Sequence, residues 1–318
     1  MQNSAPILSV GHLCYNTGPY VLDAIKSIQA SDLKEIEQIV LDDCSTDGSA
    51  DLISDFIEKN GLNVRFIQNK TNLGINASKN KIIAEASGKY YYGIGDDLIL
   101  PNKLGRDLEL LEKSDDSVFG VCSLSQIFYE NPVTPIDEYH GSHRGFLETT
   151  TITADQLLKS LVSKNWIAAP TVVLKMAWLK NFEYPSDYFI EDYPFWVMSA
   201  LQGKAIIHRP EVSVLYRRGE DSISRQHYKS LTALKIAKDS IRCRLLALDA
   251  LGEEKQRAKI IRDGINILQY GDTTLQKWYR KFIVENNCRG IIYYGSFFSK
   301  NNYFLRALWF LSRLTRNV

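Results

Sequence analysis

Short apolar runs alternate with amphipathic segments along residues 7–94 of the chain. The apolar runs have the length of buried strands, and the segments between them repeat their apolar residues at helical spacing. Strands that alternate with helices form a parallel sheet covered by helices, so an α/β fold is predicted. The predicted strands are residues 7–13, 36–41, 64–67 and 89–94, and the predicted helices are residues 19–29, 50–57 and 75–86.

A polar, turn-rich segment follows each of these four strands. The carboxyl ends of parallel strands meet at one edge of a sheet, and ligands of such sheets bind at that edge. The sequence therefore predicts a ligand site built from four loops. They are residues 15–18, 42–48, 68–74 and 95–97.

The pattern is mixed between residues 117 and 216 and becomes helical from residue 227 onward. The mixed region contains residues 131–149, which we predict to be an irregular loop long enough for a lid or an acceptor wall. Gly252, Gly271 and Gly290 separate the later helices. The predicted strands are residues 117–128, 169–174 and 205–216, and the predicted helices are residues 153–163, 192–201 and 231–251.

The composition excludes several classes of protein. The chain has 318 residues, and its 38 Lys and Arg balance 37 Asp and Glu, whereas a dedicated nucleic-acid-binding protein carries a basic excess. Its five cysteines show no metal-ligand spacing, so we expect reduced thiols in the cytoplasm rather than zinc or disulfides. The sequence shows no signal peptide and no apolar run of about 20 residues.

Two adjacent acids, Asp96 and Asp97, stand in a glycine-containing turn at a predicted strand end. Their mutual repulsion favours a bound divalent cation, and oxygen ligands suit Mg²⁺ or Mn²⁺. A solvated turn, where Asp is common for conformational reasons, explains the pair without any ligand. Both interpretations stay open from this motif alone.

Two further acidic pairs lie at element boundaries. Asp42 and Asp43 end a strand, and an acid there can accept hydrogen bonds from a nucleotide base or ribose. They also precede residues 45–47, which can cap the next helix, so they are alternatively turn residues. Glu191 and Asp192 open a helix, where the helix dipole stabilises a carboxylate. Asp192 is a candidate general base or an ordinary N-terminal acid.

Taken in order, these motifs resemble those of the inverting family 2 glycosyltransferases, which have the GT-A fold. The resemblance covers residues 6–225, and the ordered set is more specific than any one motif. The matching motifs are Tyr15-Asn16, Asp42-Asp43-x-Ser45-Thr46-Asp47-Gly48, Asn72-Leu73-Gly74, Ser78-Lys79-Asn80, Gly88-Lys89-Tyr90, Gly95-Asp96-Asp97, Pro101-Asn102-Lys103-Leu104 and Glu191-Asp192.

The resemblance implies a role for each candidate site residue. It implies that Asp192 is the catalytic base and that Asp97 binds a divalent cation, Mn²⁺ or Mg²⁺, on the diphosphate of the donor. Lys79 matches an Arg of many relatives and is either a donor contact or an exposed helical lysine. The implied contacts to the nucleotide sugar are Tyr15 and Asp43 to the base, Asp96 to the ribose, and Lys79 to the phosphate or nucleotide charge. Arg217 or Arg218 is expected to contact the diphosphate, the alternative being surface arginines at a strand end.

The resemblance also implies an activity and a domain organisation. The activity is metal-dependent, inverting transfer of one sugar from a nucleotide sugar, expected to be UDP-linked, to a hydroxyl of a glycan or lipid-linked saccharide in polysaccharide biosynthesis. Addition of single sugars is favoured because the Gln-x-x-Arg-Trp pattern of processive synthases is absent; the Gln-Lys-Trp of residues 276–278 does not match it. The implied fold is a GT-A-type, mostly parallel sheet flanked by helices over residues 1–225. Its donor half is 1–116, its acceptor half is 117–225, and a helical region follows over 226–318.

The sequence departs from the family pattern at three places. Cys14 and the residue before it replace a Pro-Thr pair, and Gly95 replaces the first acid of the metal motif. Gly219 stands where many relatives have a His, so a His ligand to the metal is not expected. Gly95 leaves open a binding protein without turnover, whereas a nucleotidyltransferase is disfavoured because residues 10–18 lack a glycine-rich basic loop.

Acceptor contacts are expected near Asp192. The candidate acceptor residues are Tyr139, His140, His143 and Arg144 in the long loop, and one or two of Trp166, Tyr184, Tyr188, Phe189 and Tyr193, the remaining aromatic residues being core.

Residues 303–314 form an apolar and cationic segment. It is predicted either to bind the cytoplasmic face of a membrane peripherally or to pack against the body or another subunit.

Overall fold

A computed structural model describes residues 5–130, 133–140, 147–219 and 230–286 of the chain. The chain divides into two compact units, with the boundary between residues 220 and 221. The domain limit set at residue 225 from the sequence stays a prediction. Among the described helices, none is both long and apolar enough to cross a membrane.

A single sheet of ten strands, counted over the described residues, forms the centre of the first unit. The strands are β1 (Leu8–Cys14), β2 (Ile36–Asp42), β3 (Val64–Gln68), β4 (Tyr90–Ile94), β5 (Leu98–Ile99), β6 (Val118–Glu130), β7 (Val133–His140), β8 (Thr150–Ile152), β9 (Val173–Lys175) and β10 (Ala205–Arg217). Their order is β3-β2-β1-β4-β9-β6-β10-β5, with β7 beside β6 and β8 beside β10.

The parallel part of the sheet is the part that the alternating pattern predicts. β1 lies between β2 and β4, β3 flanks β2, and all three pairs are parallel. The carboxyl ends of β1 to β4 therefore lie at one edge of the sheet. Antiparallel β9 joins β4 to β6, and β6 pairs in parallel with β10. The predicted mostly parallel α/β sheet is confirmed.

Helices pack on the sheet of the first unit and form the described part of the second. Each element predicted over residues 7–94 is present, with its ends within two residues of the prediction. The helices of the first unit are α1 (Gly18–Gln29), α2 (Ser49–Lys59), α3 (Ile75–Glu85), α4 (Lys103–Glu112), α5 (Ala154–Leu161), α6 (Met176–Leu179) and α7 (Asp192–Leu201). Those of the second unit are α8 (Leu231–Ala250), α9 (Arg257–Arg262), α10 (Ile265–Tyr270) and α11 (Thr273–Glu285).

Two sequence predictions in the middle of the chain were wrong. Residues 131–149 do not form one irregular loop, because β7 pairs antiparallel with β6. The strand predicted over residues 169–174 begins instead with a 3₁₀ turn, Ala169–Thr171. Pro170 has no N–H for a strand ladder, which explains why β9 starts only at residue 173.

Three fully buried charges hold α4 against β10. Asp107 accepts hydrogen bonds from Lys103 Nζ at 2.7 Å and from Arg209 Nε at 3.0 Å. Lys103 also donates to the carbonyl oxygen of Thr171 at 2.8 Å. Buried charges are costly unless they are paired, so this triad fixes the positions of α4, β10 and the 3₁₀ turn relative to one another.

Gly88 lies against the backbone of β1, and this contact leads to a testable prediction. A Cβ at residue 88 would lie 2.5 Å from the backbone nitrogen of Ser9, whereas a Cβ at Gly95 would meet the carbonyl oxygen of Leu13 at an ordinary 3.6 Å. We expect Gly88→Ala to lower the free energy of unfolding by about 1–3 kcal/mol, since β1 and β4 must separate locally. Gly95→Ala is the control and should unfold like the parent in urea; equal stability of the two variants would contradict the close approach.

Candidate functional site

The loops after β1 and β2 are tied together at the carboxyl edge of the sheet. Asn16 receives a hydrogen bond from Thr46 N on its side-chain oxygen at 2.8 Å, and its own N–H donates to Ser45 Oγ at 2.9 Å. Asn16 has a φ of 56°, in the left-handed region that Asn tolerates better than most residues. This turn leaves the neighbouring Tyr15 48% exposed at the edge, where its ring can stack on a planar group.

Asp43 holds the loop that follows β3. Its side chain is buried and accepts hydrogen bonds from Asn69 Nδ2 at 2.8 Å, Leu73 N at 2.9 Å and Gly74 N at 2.9 Å. Because three protein donors occupy the carboxylate, Asp43 shapes one wall of the site. The direct contact to a nucleotide base stays a prediction.

The other polar residues after β2 satisfy the turn itself. Asp42 accepts hydrogen bonds from the backbone N–H of Ser45, at 3.0 Å, and from the Ser45 hydroxyl. Helix α2 is preceded by Gly48, whose φ is 86°, and Asp47 accepts a hydrogen bond from Ser49 N at 3.0 Å. Of residues 45–47, which the sequence offered as caps, only Asp47 therefore reaches the first turn of the helix.

Asp96 and Asp97 lie beside the end of β10. Asp97 is buried, and its Oδ1 accepts a hydrogen bond from Arg217 N at 2.8 Å, while Arg217 Nε donates to the carbonyl oxygen of Asp96 at 2.6 Å. Burial raises the pKa of Asp97 well above its usual range, and the Asp96 carboxylate raises it further. The Arg217 guanidinium lies over the ring of Tyr20 at 4.6 Å, so its contact to a diphosphate stays a prediction.

The donor set at this turn fits a cation that is shared with a ligand. Within the described ranges, no group of three or more His, Cys, Asp or Glu side chains is placed to hold a metal ion. Mg²⁺ is commonly bound by one or two carboxylates, with phosphate oxygens and waters as its other ligands. Asp96 and Asp97 supply such hard oxygen donors, so the residues suit a cation that arrives with a phosphate-containing ligand.

Asp192, the first residue of α7, is held on both carboxylate oxygens. Oδ1 accepts a hydrogen bond from Tyr193 N at 2.6 Å, and Oδ2 accepts one from Asn165 Nδ2 at 2.7 Å. Burial and then the neighbouring Glu191 carboxylate raise the pKa of Asp192 to about 7. Sequence reasoning missed Asn165, because a single Asn between a helix and an apolar segment carries no motif.

Lys79 of α3 lies beside Glu191 rather than in solvent. Its Nζ is 3.4 Å from Glu191 Oε1 and 5.0 Å from the centre of the Tyr184 ring. The side chain is only 15% exposed, so the alternative of an exposed helical lysine is wrong. The contact to a donor phosphate stays a prediction, and the ammonium group favours the charged form of Asp192.

Most aromatic residues considered for the acceptor site belong to the core. Four of the five are at most 6% exposed: Trp166, Tyr184, Tyr188 and Tyr193. The Trp166 indole donates to Ser160 Oγ at 2.8 Å, and the Tyr193 hydroxyl donates to the carbonyl oxygen of Leu161. The polar ends of Trp166 and Tyr193 are therefore satisfied inside the protein, as expected of core residues. Of the five, only Phe189 is half-buried.

Several predicted features cannot be placed. His143 and Arg144 of the expected acceptor wall lie outside the described residues, as do residues 220–224 of the late loop and the apolar segment 303–314. Tyr139 and His140 lie in β7. The acceptor side of the site is therefore defined here by Asp192 and its neighbours.

Comparison with known proteins shows the class of enzyme. Residues 9–159 match the family model described as glycosyl transferase family 2. This chain is a glycosyltransferase that carries a family 2 match over this segment. It is 26% identical over 232 residues to TuaG of Bacillus subtilis, a glycosyltransferase named for teichuronic acid biosynthesis, covering 72% of this chain and 86% of that protein. It is 25% identical over 206 residues to the GalNAc(5)-diNAcBac-PP-undecaprenol beta-1,3-glucosyltransferase of Campylobacter jejuni, covering 64% and 63% of the two chains.

Two solved structures share the fold of this glycosyltransferase. S. aureus TarS 1-349 in complex with UDP-GlcNAc aligns with a TM-score of 0.59 at 20% identity, covering 83% of this chain and 72% of that one. The mannosyltransferase PcManGT of Pyrobaculum calidifontis, in complex with GDP-Man and Mn²⁺, aligns with a TM-score of 0.53 at 16% identity, covering 94% and 89%. The predicted GT-A-type fold is confirmed.

The bonds to Asp43 lead to a prediction about stability. An Asn side chain offers one acceptor oxygen where the carboxylate offers two, so Asp43→Asn cannot keep all three donors of residues 69–74. We expect a loss of about 2 kcal/mol in the free energy of unfolding, the scale of a lost hydrogen bond to a charged group, and faster proteolysis within residues 69–74. The exposed Asp51→Asn is the control; parent-like stability and digestion of Asp43→Asn would refute the assigned role.

Proposed function

We propose that this glycosyltransferase moves a single sugar, with inversion, from a nucleoside-diphosphate sugar to a hydroxyl of a glycan or lipid-linked saccharide. Asp192 is the general base. The observation that carries the proposal is the carboxylate of Asp192, whose two oxygens are fixed by donors and whose pKa lies at about 7. A base with a pKa near the working pH is the most effective proton acceptor.

The geometry at Asp192 supports a single displacement. Asp192 would take the proton of the acceptor hydroxyl while that oxygen attacks the anomeric carbon and the nucleoside diphosphate leaves. Such a reaction needs a base but no nucleophile from the enzyme. Cys14, the last residue of β1, suits a structural role better than that of a nucleophile, because its side chain is fully buried and burial raises its pKa.

The donor would occupy the edge formed by the loops after β1 to β4. The exposed ring of Tyr15 would stack on the base, the wall held by Asp43 would line the base pocket, and Asp96 would bind the ribose. UDP is the expected nucleotide, in keeping with the UDP-GlcNAc bound by TarS. The Campylobacter relative, named for an undecaprenol-linked acceptor, favours a lipid-linked saccharide as acceptor and a peripheral position at the cytoplasmic face of a membrane.

Asp97 would hold a divalent cation together with the diphosphate of the donor. When bound, Mn²⁺ or Mg²⁺ neutralises charge that develops on the departing nucleoside diphosphate. The hard oxygen donors of Asp96 and Asp97 support this assignment, and so does the Mn²⁺ in the PcManGT complex. Arg217 would keep the turn in place, because its backbone N–H donates to the Asp97 carboxylate and its Nε donates to the backbone carbonyl oxygen of Asp96.

Replacing the base should separate catalysis from donor binding. We expect Asp192→Asn to lower the rate of transfer by about 10²–10⁴-fold, because the amide accepts no proton, and to leave donor affinity nearly unchanged. The donor is the nucleotide sugar that shifts the melting temperature most in a screen. Transfer is measured as release of the nucleoside diphosphate in the presence of a simple glycoside acceptor. The exposed Glu183→Gln is the control; full transfer by Asp192→Asn means that another group is the base.

The cation site has a test that does not depend on turnover. With Mn²⁺ present, the selected nucleotide sugar should raise the melting temperature of the parent, and this shift should be much smaller for Asp97→Asn. The substitution keeps the shape of the side chain and an oxygen for Arg217 N, so the fold should survive. The exposed Asp155→Asn, in the first turn of α5, is the control. A donor-induced shift that is insensitive both to Mn²⁺ and to Asp97→Asn argues against a cation at Asp97.

A further inference from the structure

We propose that Asn165 is the positioning residue of the catalytic base, fixing the carboxylate of Asp192 and favouring its charged form. The inference rests on the proposed function, since it assigns the group that orients the base of that reaction. Asn165 lies between α5 and the 3₁₀ turn, 27 residues before Asp192, and its Nδ2 donates to Asp192 Oδ2 at 2.7 Å.

The amide of Asn165 is itself oriented by the fold. Its side-chain oxygen accepts a hydrogen bond from Ile167 N at 3.3 Å, which leaves the NH₂ group facing Asp192. The next two residues anchor the segment, because Trp166 and Ile167 are each 2% exposed. The donor to Asp192 therefore belongs to a segment that is held in place by the burial of its own side chains.

Two donors from different parts of the chain fix the plane of the Asp192 carboxylate. Tyr193 N, from α7 itself, holds Oδ1, and Asn165 holds Oδ2. With the Tyr193 bond alone, the carboxylate keeps freedom to rotate about its Cβ–Cγ bond. The lone pairs left free after both bonds form are those that can face an acceptor hydroxyl, so the second donor sets the direction of proton transfer.

Asn165 acts against the groups that disfavour the charged carboxylate. Burial and the Glu191 carboxylate raise the pKa of Asp192, while Lys79 from α3 lowers it and the Tyr184 side chain also lies within electrostatic reach. A hydrogen bond to the charged form favours that form. Asn165 supplies such a bond at every pH, because an amide does not titrate. Without it, Asp192 should hold its proton to higher pH.

The test is the pH profile of kcat for the parent, Asn165→Asp and Asn165→Ala, with the selected nucleotide sugar and glycoside acceptor. The parent profile should fall on the acid side near pH 7, because protonated Asp192 accepts no proton. In both variants this acid limb should lie about one pH unit higher than in the parent. At pH 6 the kcat of each variant should therefore be about tenfold lower than that of the parent, and part of this loss should be recovered at pH 9. The KM for the donor should stay within about twofold, since Asn165 acts on the base.

Asn63→Asp, an exposed change of the same chemistry, is the control and should keep the parent profile. A merely structural role of Asn165 would lower kcat equally at all pH values and leave the acid limb in place, which would overturn the proposal. Loss of cooperative thermal unfolding in both Asn165 variants would overturn it too. Asp192→Asn in the same assay separates the two ideas: if it is inactive while the limb of the Asn165 variants does not move, only the role of Asn165 is wrong.

Discussion

Carboxylates removed from water need hydrogen-bond donors, and backbone N–H groups supply them at three acids of this site. Asp43 is held by the amides of residues 73 and 74, Asp97 by the amide of Arg217, and Asp192 by the amide of Tyr193. For Asp43 and Asp97 the donors come from a segment far away in sequence. Asp43 and Asp97 therefore hold a distant loop and a distant strand end against the edge of the sheet, and the shape of the site depends on these bonds.

The same constraint gives similar side chains different properties. Asp43 accepts three protein donors, which commits its oxygens to the wall of the site. Asp192 accepts two and lies beside Glu191, and burial together with that neighbour raises its pKa to about 7. A carboxylate that has free lone pairs and a pKa near neutrality can take part in proton transfer, whereas a carboxylate whose oxygens are occupied by amide donors has a structural role.

Strand β10 connects the stability of the fold to the site. Its Arg209 belongs to the buried charge triad with Asp107 and Lys103, and its last residue, Arg217, holds the turn of the two acids. The strand pairs with β6 along most of its length, and β5 and β8 pair with its two ends. The position of the acidic turn is thus set by packing that lies well away from the ligand edge.

The sequence by itself determined the parallel half of the sheet, since strand and helix periodicities are local properties, and it determined that four polar loops share one edge. The motif order was enough to indicate the family and to name Tyr15, Asp43, Asp97 and Asp192 as candidates. Only the tertiary structure decided which groups those residues contact. The ion pair of Lys79 with Glu191 and the bond from Asn165 to Asp192 join residues far apart in sequence. No local pattern encodes such contacts, because they form only when separate elements pack together.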